Sequence, residues 1–385
     1  MNRYKLVHVT QFKYDGPVSE SYNELRLRPR HDECQSCLSF RITTNPSAKA
    51  IGHQDFYGNW VHLFHILPDH RYLRVESEAV ILVHPQPPVP RSLVPLSELK
   101  QMREALLDDY FDWVTPSKYC PFSPEVAELV AQAEAESDGT VQGFAETASR
   151  IIHEGFRYQP GATHVHSSVA DCIETRSGVC QDFSHLLLSL LRMRGVPSRY
   201  VSGYLVPRQT TDERGAMERV IGGLASHAWV QAYVPGTGWL GLDPTVGQFV
   251  EEQHIRVAYG RDYGDVAPVR GVYKGHAGQN LSVDVLVRPA LDDDGAEWLE
   301  ESAAVPLPEP DDDSLYKQQQ QQQQQQQVEC SFHAARGRLS LGRCWRVSNP
   351  PRDAIPPYIE RTLSTGQRTG LVAYERCCDS EVCSS

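Results

Sequence analysis

The chain has 385 residues, 40% hydrophobic and 22% charged, with a formal net charge of −12 at pH 7; that length predicts two domains with additional segments, mostly folded. The acidic balance excludes phosphate-backbone binding, which needs clustered Lys and Arg, so nucleic acid is not an expected partner. No apolar run approaches the ~20 residues of a membrane-crossing helix, and the alternating N-terminus MNRYKLVHVTQFKY lacks the unbroken apolar run of a signal peptide; no membrane partner and a cytoplasmic location are expected.

In chain order, period-2 alternation predicts strands over residues 5–14, 25–29 and 74–83, an all-β N-terminal domain spanning 1–85. Asp15-Gly16-Pro17 and Tyr57-Gly58-Asn59 carry turn chemistry, because Gly tolerates positive φ and Asn adopts it readily. Cys34 and Cys37 have the spacing of half a zinc site, but no second pair of ligands follows in this region, so ordinary thiols are the reading. Residues 86–95 are too rich in proline for a helix interior or central strand and form a linker. Helices are predicted over 96–110, 124–136 and 141–154, the second started by Ser123 as N-cap and Pro124 at the first helical position. Strands follow at 200–206, 227–234, 239–243 and 280–287, which makes residues 96–290 an α+β domain. Beyond it, residues 291–385 combine an acidic stretch, ten glutamines from Gln318 to Gln327 and a Cys-bearing tail, a composition that predicts disorder.

Three signals within the second domain carry chemistry. Cys180 opens a helix whose Phe183, Leu186, Leu187 and Leu190 repeat with helical spacing, and which Gly195 and Pro197 close. A helix N-terminus presents free N–H groups and partial positive charge, which stabilise a thiolate and can hold an oxyanion. His227 begins a strand, sharing a face with Trp229, Gln231 and Tyr233, while Ala228, Val230, Ala232 and Val234 form the inward apolar face. Asp243 ends the returning strand. A hairpin register pairing Gln231 with Trp239 sets His227 opposite Asp243, close enough for the carboxylate to orient the imidazole. Cys, His and Asp in these places suit nucleophilic acyl transfer. Gln159 is a candidate further oxyanion donor. His164, His166 and His185 show no metal-ligand spacing, and the acidic stretch lacks the Gly-bearing loop of an EF-hand, so no metal or cofactor is expected.

At GVCQDF (178–183), RYVSGYL (199–205), SHAW (226–229) and GLDPT (241–245) the chain resembles the bacterial transglutaminase-like superfamily, a papain-related group. Residues 22–29 and 55–59 resemble the β-rich region that precedes its core, and the likeness extends over about residues 1–290. The resemblance implies a Cys-bearing helix packed on an antiparallel sheet, with Cys180 as nucleophile, His227 as general base and acid, and Asp243 orienting the imidazole. It further implies a cysteine hydrolase of amide bonds, acting on a peptide, a protein or a small amide. The alternatives are a protein-glutamine acyltransferase and a non-catalytic binding module of the same fold.

Overall fold

A computed structural model describes residues 2–86, 90–159, 168–206, 210–211, 217–218 and 226–290. Part of the proline-rich linker, His164, His166 and all of residues 291–385, with the glutamine run, lie outside the described residues. The N-terminal strands are β1 (Asn2–Leu25), β2 (Gln35–Asn45), β3 (Ile51–Gln54), β4 (Trp60–Ile66) and β5 (His70–Val83). A 3-10 turn at Leu96–Lys100 leads to α1 (Arg103–Val114), α2 (Pro124–Glu136), α3 (Val141–Gly155), β6 (Arg157–Tyr158), α4 (Val169–Thr175), β7 (Ser177–Gly178) and α5 (Cys180–Met193). There follow β8 (Ser198–Leu205), the two-residue pair β9 (Thr210–Thr211) and β10 (Met217–Glu218), then β11 (Ser226–Val234), β12 (Gly238–Asp243), β13 (Gln248–Phe249) and β14 (His254–Gly260). Last come α6 (Tyr263–Val266), β15 (Val269–Lys274) and β16 (Gln279–Pro289).

The architecture is the α+β arrangement expected. A five-stranded antiparallel sheet, in the order β13-β12-β11-β8-β14, carries α5 against β8 and β11. Leu186, Leu187, Leu188, Leu190 and Leu191 are all fully buried, and the polar Ser184, His185 and Ser189 of the same helix are buried too, so α5 is buried around its whole circumference rather than along one stripe; such a helix belongs at a centre. Each of these leucines contributes roughly 1.5–3 kcal/mol through burial. Arg192, also buried, has its guanidinium donating to the carbonyls of Ser198 and Arg261, which ties the end of α5 to β8 and to the segment after β14.

Expectation and structure part in several places, one of them the helix expected over 96–110, which is a 3-10 turn at Leu96–Lys100 followed by α1 at Arg103–Val114. The strand at 280–287 does not complete the second sheet: β16 runs along β1, pairing Tyr4–Tyr14 with Gln279–Pro289, because an antiparallel return is indifferent to sequence separation. Asp15-Gly16-Pro17 is not a turn but lies inside one 24-residue strand. Pro17 lacks an N–H, the ladder to β5 jumps between Lys13 and Val18, and there β1 passes from partners β5 and β16 to partners β4 and β15. The strand expected at 25–29 is only the end of β1. Finally, Tyr233 rather than Gln231 faces Trp239, a slip of two residues. The expected register would have left a single residue to reverse the chain. The actual hairpin turns through Pro235, Gly236 and Thr237, with Gly236 and Gly238 at φ of 80° and 95°.

The outer edge of β14 is closed by two side-chain amides. Gln35 donates to the Arg256 carbonyl and accepts from its N–H, both at 2.8 Å. Asn59 does the same at Tyr259, at 2.7 and 2.8 Å. Each amide imitates a neighbouring strand where the described residues supply none, which satisfies the edge backbone at Arg256 and Tyr259.

Candidate active site

Cys180 is the first residue of α5, and the extended Val179 before it caps the helix. The Val179 N–H donates to the Asp182 carboxylate at 2.9 Å, fixing the angle at which chain becomes helix. Gly178 is needed there: a Cβ on it would stand 2.9 Å from the Asp182 Cβ and 3.2 Å from the Phe183 ring. β7 is held in turn by β6, whose continuation donates the Gln159 N–H to the Gly178 carbonyl at 2.9 Å. Gln159 thus lies beside the Cys180 turn and is exposed. Cys180 is buried, 3% exposed.

His227 lies near the start of β11 with Gly203 of β8 across from it. No side chain fits at Gly203, where a Cβ would meet the Ile255 carbonyl oxygen at 2.1 Å and the Trp229 ring at 2.5 Å. Trp229, fully buried, packs against both His227 and His254, with ring centroids 6.0 and 5.1 Å apart. The two-residue slip of the hairpin keeps His227 and Asp243 on the same face, since side chains alternate with period 2, and makes them diagonal neighbours. His227 Nε2 meets Asp243 Oδ2 at 2.6 Å. Its Nδ1 is the nitrogen left for the side-chain hydrogen bond to Cys180.

Asp243 has no solvent exposure, so every acceptor site on it must be filled. Oδ1 accepts from the N–H groups of Thr245 at 2.9 Å and Val246 at 3.4 Å. Oδ2 is shared between His227 and a second histidine, His254, at 3.1 Å. Burial alone would raise this carboxyl, but the His227 charge and hydrogen bond and the His254 hydrogen bond outweigh it and hold Asp243 well below the usual carboxylate range. Burial likewise works to lower His227. The Asp243 charge and hydrogen bond, together with the Cys180 hydrogen bond, overcome it and raise the imidazole to about 10. His227 is thus placed between a carboxylate and a thiol.

The three sequence-predicted residues are therefore brought together, and His254 is the addition that sequence reasoning missed. Its strand, β14, was not expected, and a lone His eleven positions after an Asp has no motif signal. His185 has other partners: it stacks on Tyr119, its Nε2 accepts the Tyr263 N–H at 3.2 Å, and burial lowers it to about 4. His227, Asp243 and His254 place one donor atom each within 4.8 Å of one another. The 2.6 Å contact nevertheless marks a hydrogen bond, because two ligands at ~2.0–2.1 Å on one tetrahedral ion stand about 3.3 Å apart.

Residues 4–82 match the family described as the bacterial transglutaminase-like N-terminal region, and residues 127–244 match the transglutaminase-like superfamily. The chain belongs to the transglutaminase-like superfamily. It is 36% identical over 286 residues to an uncharacterized protein of Mycobacterium leprae, an alignment that takes in 74% of this chain and 98% of that one. An uncharacterized protein of Mycobacterium tuberculosis is 35% identical over 296 residues, covering 74% and 92%. A protein-glutamine gamma-glutamyltransferase of Pseudomonas aeruginosa is 30% identical over 150 residues, 37% of this chain and 21% of that protein. Among solved structures, a candidate cysteine protease from Cytophaga hutchinsonii shares the fold with a TM-score of 0.54 at 20% identity, covering 76% of this chain and 94% of that one.

Proposed function

We propose that this chain is a cysteine-dependent amide hydrolase that works through a thioester acyl-enzyme. The observation that supports this most is the unbroken line from the Cys180 thiol through His227 to a buried Asp243 held as a carboxylate. Cys180 Sγ, as thiolate, attacks the carbonyl carbon of the substrate. The negative oxygen that forms is held by the Cys180 N–H at the start of α5, with the Gln159 side chain as second donor. The C–N bond then breaks as the imidazolium gives its proton to the leaving amine. In the second half His227 takes a proton from water, the resulting hydroxide attacks the thioester, and the carboxylic acid and thiolate are released. Asp243 keeps the ring oriented and stabilises its cationic form throughout. Substrates are peptides, proteins or small amides.

A second reading has an amine take the place of water, giving a protein-glutamine acyltransferase; the likeness to the Pseudomonas aeruginosa enzyme favours it. The acyl-enzyme is common to both. Iodoacetamide labelling across pH, read by peptide mass spectrometry, tests the shared step. Cys180 is expected to alkylate rapidly well below pH ~8.5, the ordinary thiol range, and to lose that advantage in His227→Ala. Alkylation of Cys180 no faster than that of Cys34 would end the enzyme reading in favour of a binding module. Gln159→Ala is expected to slow acylation by about 10²-fold; an unchanged acylation rate removes Gln159 from the oxyanion site.

A further inference from the structure

His254 lies beyond the segment that matches the superfamily, on the edge strand of the sheet, and no step above uses it. It is buried with both ring nitrogens engaged. Nδ1 accepts the Glu251 N–H at 3.1 Å, so the ring proton is on Nε2, which donates it to Asp243 Oδ2 at 3.1 Å. Asp243 Oδ2 is the same oxygen that holds His227, at 2.6 Å. Trp229 touches both rings and keeps them apart, with imidazole centroids separated by 6.3 Å. The strand that carries His254 is pinned two and five residues further on by the Gln35 and Asn59 amides.

From this arrangement we infer that His254 is a positioning residue of the site: a fixed donor that aims Asp243 Oδ2 at His227, so that the working unit is Cys180, His227, Asp243 and His254. The inference rests on the function proposed above. A carboxylate whose Oδ1 is tied to the backbone can still tilt about its Cα–Cβ–Cγ axis, and a second side-chain donor on Oδ2 removes that freedom. The backbone bond from Glu251 makes the donor permanent, because it holds the imidazole in one tautomer. Tyr200, electrostatically linked to Cys180 and Asp182, and Asp182 itself are titratable neighbours of the array, and the variants below leave both unchanged.

Two substitutions separate aiming from filling space. His254→Asn keeps an acceptor near the Nδ1 position but loses the donor to Asp243. His254→Gln keeps a donor near the Nε2 position. The readout is the pH at which Cys180 alkylation by iodoacetamide reaches half its maximum in the full chain, with circular dichroism and Tm reporting the fold. Asn is expected to move that midpoint upward by about one pH unit, because the imidazolium that stabilises the thiolate is held less well. Gln is expected to stay near wild type. A folded Asn variant with the wild-type midpoint, or a Gln variant shifted as far as Asn, would overturn the inference. A wild-type chain without early Cys180 alkylation would bring down the proposed function first, and this inference with it.

Discussion

A carboxylate with no exposure at all survives in Asp243 because four donors fill it: two backbone N–H groups on Oδ1 and two imidazoles on Oδ2. Asp243→Asn preserves the shape but removes the charge and inverts one hydrogen bond, and it is expected to cut acylation by about 10³-fold or more with the fold intact. The same pair sets a pH signature. His227 has a folded pKa above its usual 6.5, so its contribution to stability is full below that value and is lost as pH rises through about 10. Asp243 is depressed, so its contribution is present above its usual 3.8 and is lost on acidification. Unfolding free energies measured by urea titration between pH 6.5 and 10 are expected to fall more steeply for wild type than for His227→Asn; parallel curves would deny the coupling. Cys180, His227 and Asp243 were legible because each stands at the end of an element marked by local pattern. His254 was not, since its role comes from a contact across strands.

At the scale of elements, α2 was read with its true bounds because Ser123 and Pro124 are local signals, and the Ser123 side chain indeed accepts the Val126 N–H at 3.3 Å. β14 was invisible. The backbone groups of its Arg256 and Tyr259 are satisfied by Gln35 and Asn59, two hundred residues or more earlier, and no window along the chain contains both partners. Asn59 had been legible only as part of a turn signal, although Gly58, at φ of 72°, is the residue that meets that need. Asn59→Ala is expected to destabilise by about 2–4 kcal/mol, since it leaves the Tyr259 N–H and carbonyl unpaired in a buried place; a loss under about 0.5 kcal/mol in denaturant titration would mean that water replaces the amide. Gly203→Ala, with no room beside Ile255 and Trp229, is expected to cost about 1–3 kcal/mol or more and to shift His227, visible as slower Cys180 alkylation.

For the molecule as a whole, β1 is the long axis of the N-terminal sheet, and the chain returns after the site to supply β15 and β16 along it. Sequence pattern recognised both halves of this arrangement but could not show that residues 269–289 complete the first sheet. A chain ending at residue 268 is expected to lose the cooperative unfolding that one ending at residue 290 retains, because β1 keeps only β4 and β5 as partners. The same topology links the N-terminal sheet to the site, since β14 carries His254 and is clamped from residues 35 and 59. The proposed chemistry passes an acyl group from an amide to Cys180. The most direct test is intact-protein mass spectrometry of the full chain and of Cys180→Ala during incubation with casein peptides, with and without a primary amine. The account predicts a transient acyl adduct on Cys180, together with amide turnover that disappears in Cys180→Ala; turnover that survives the loss of Cys180 would contradict it.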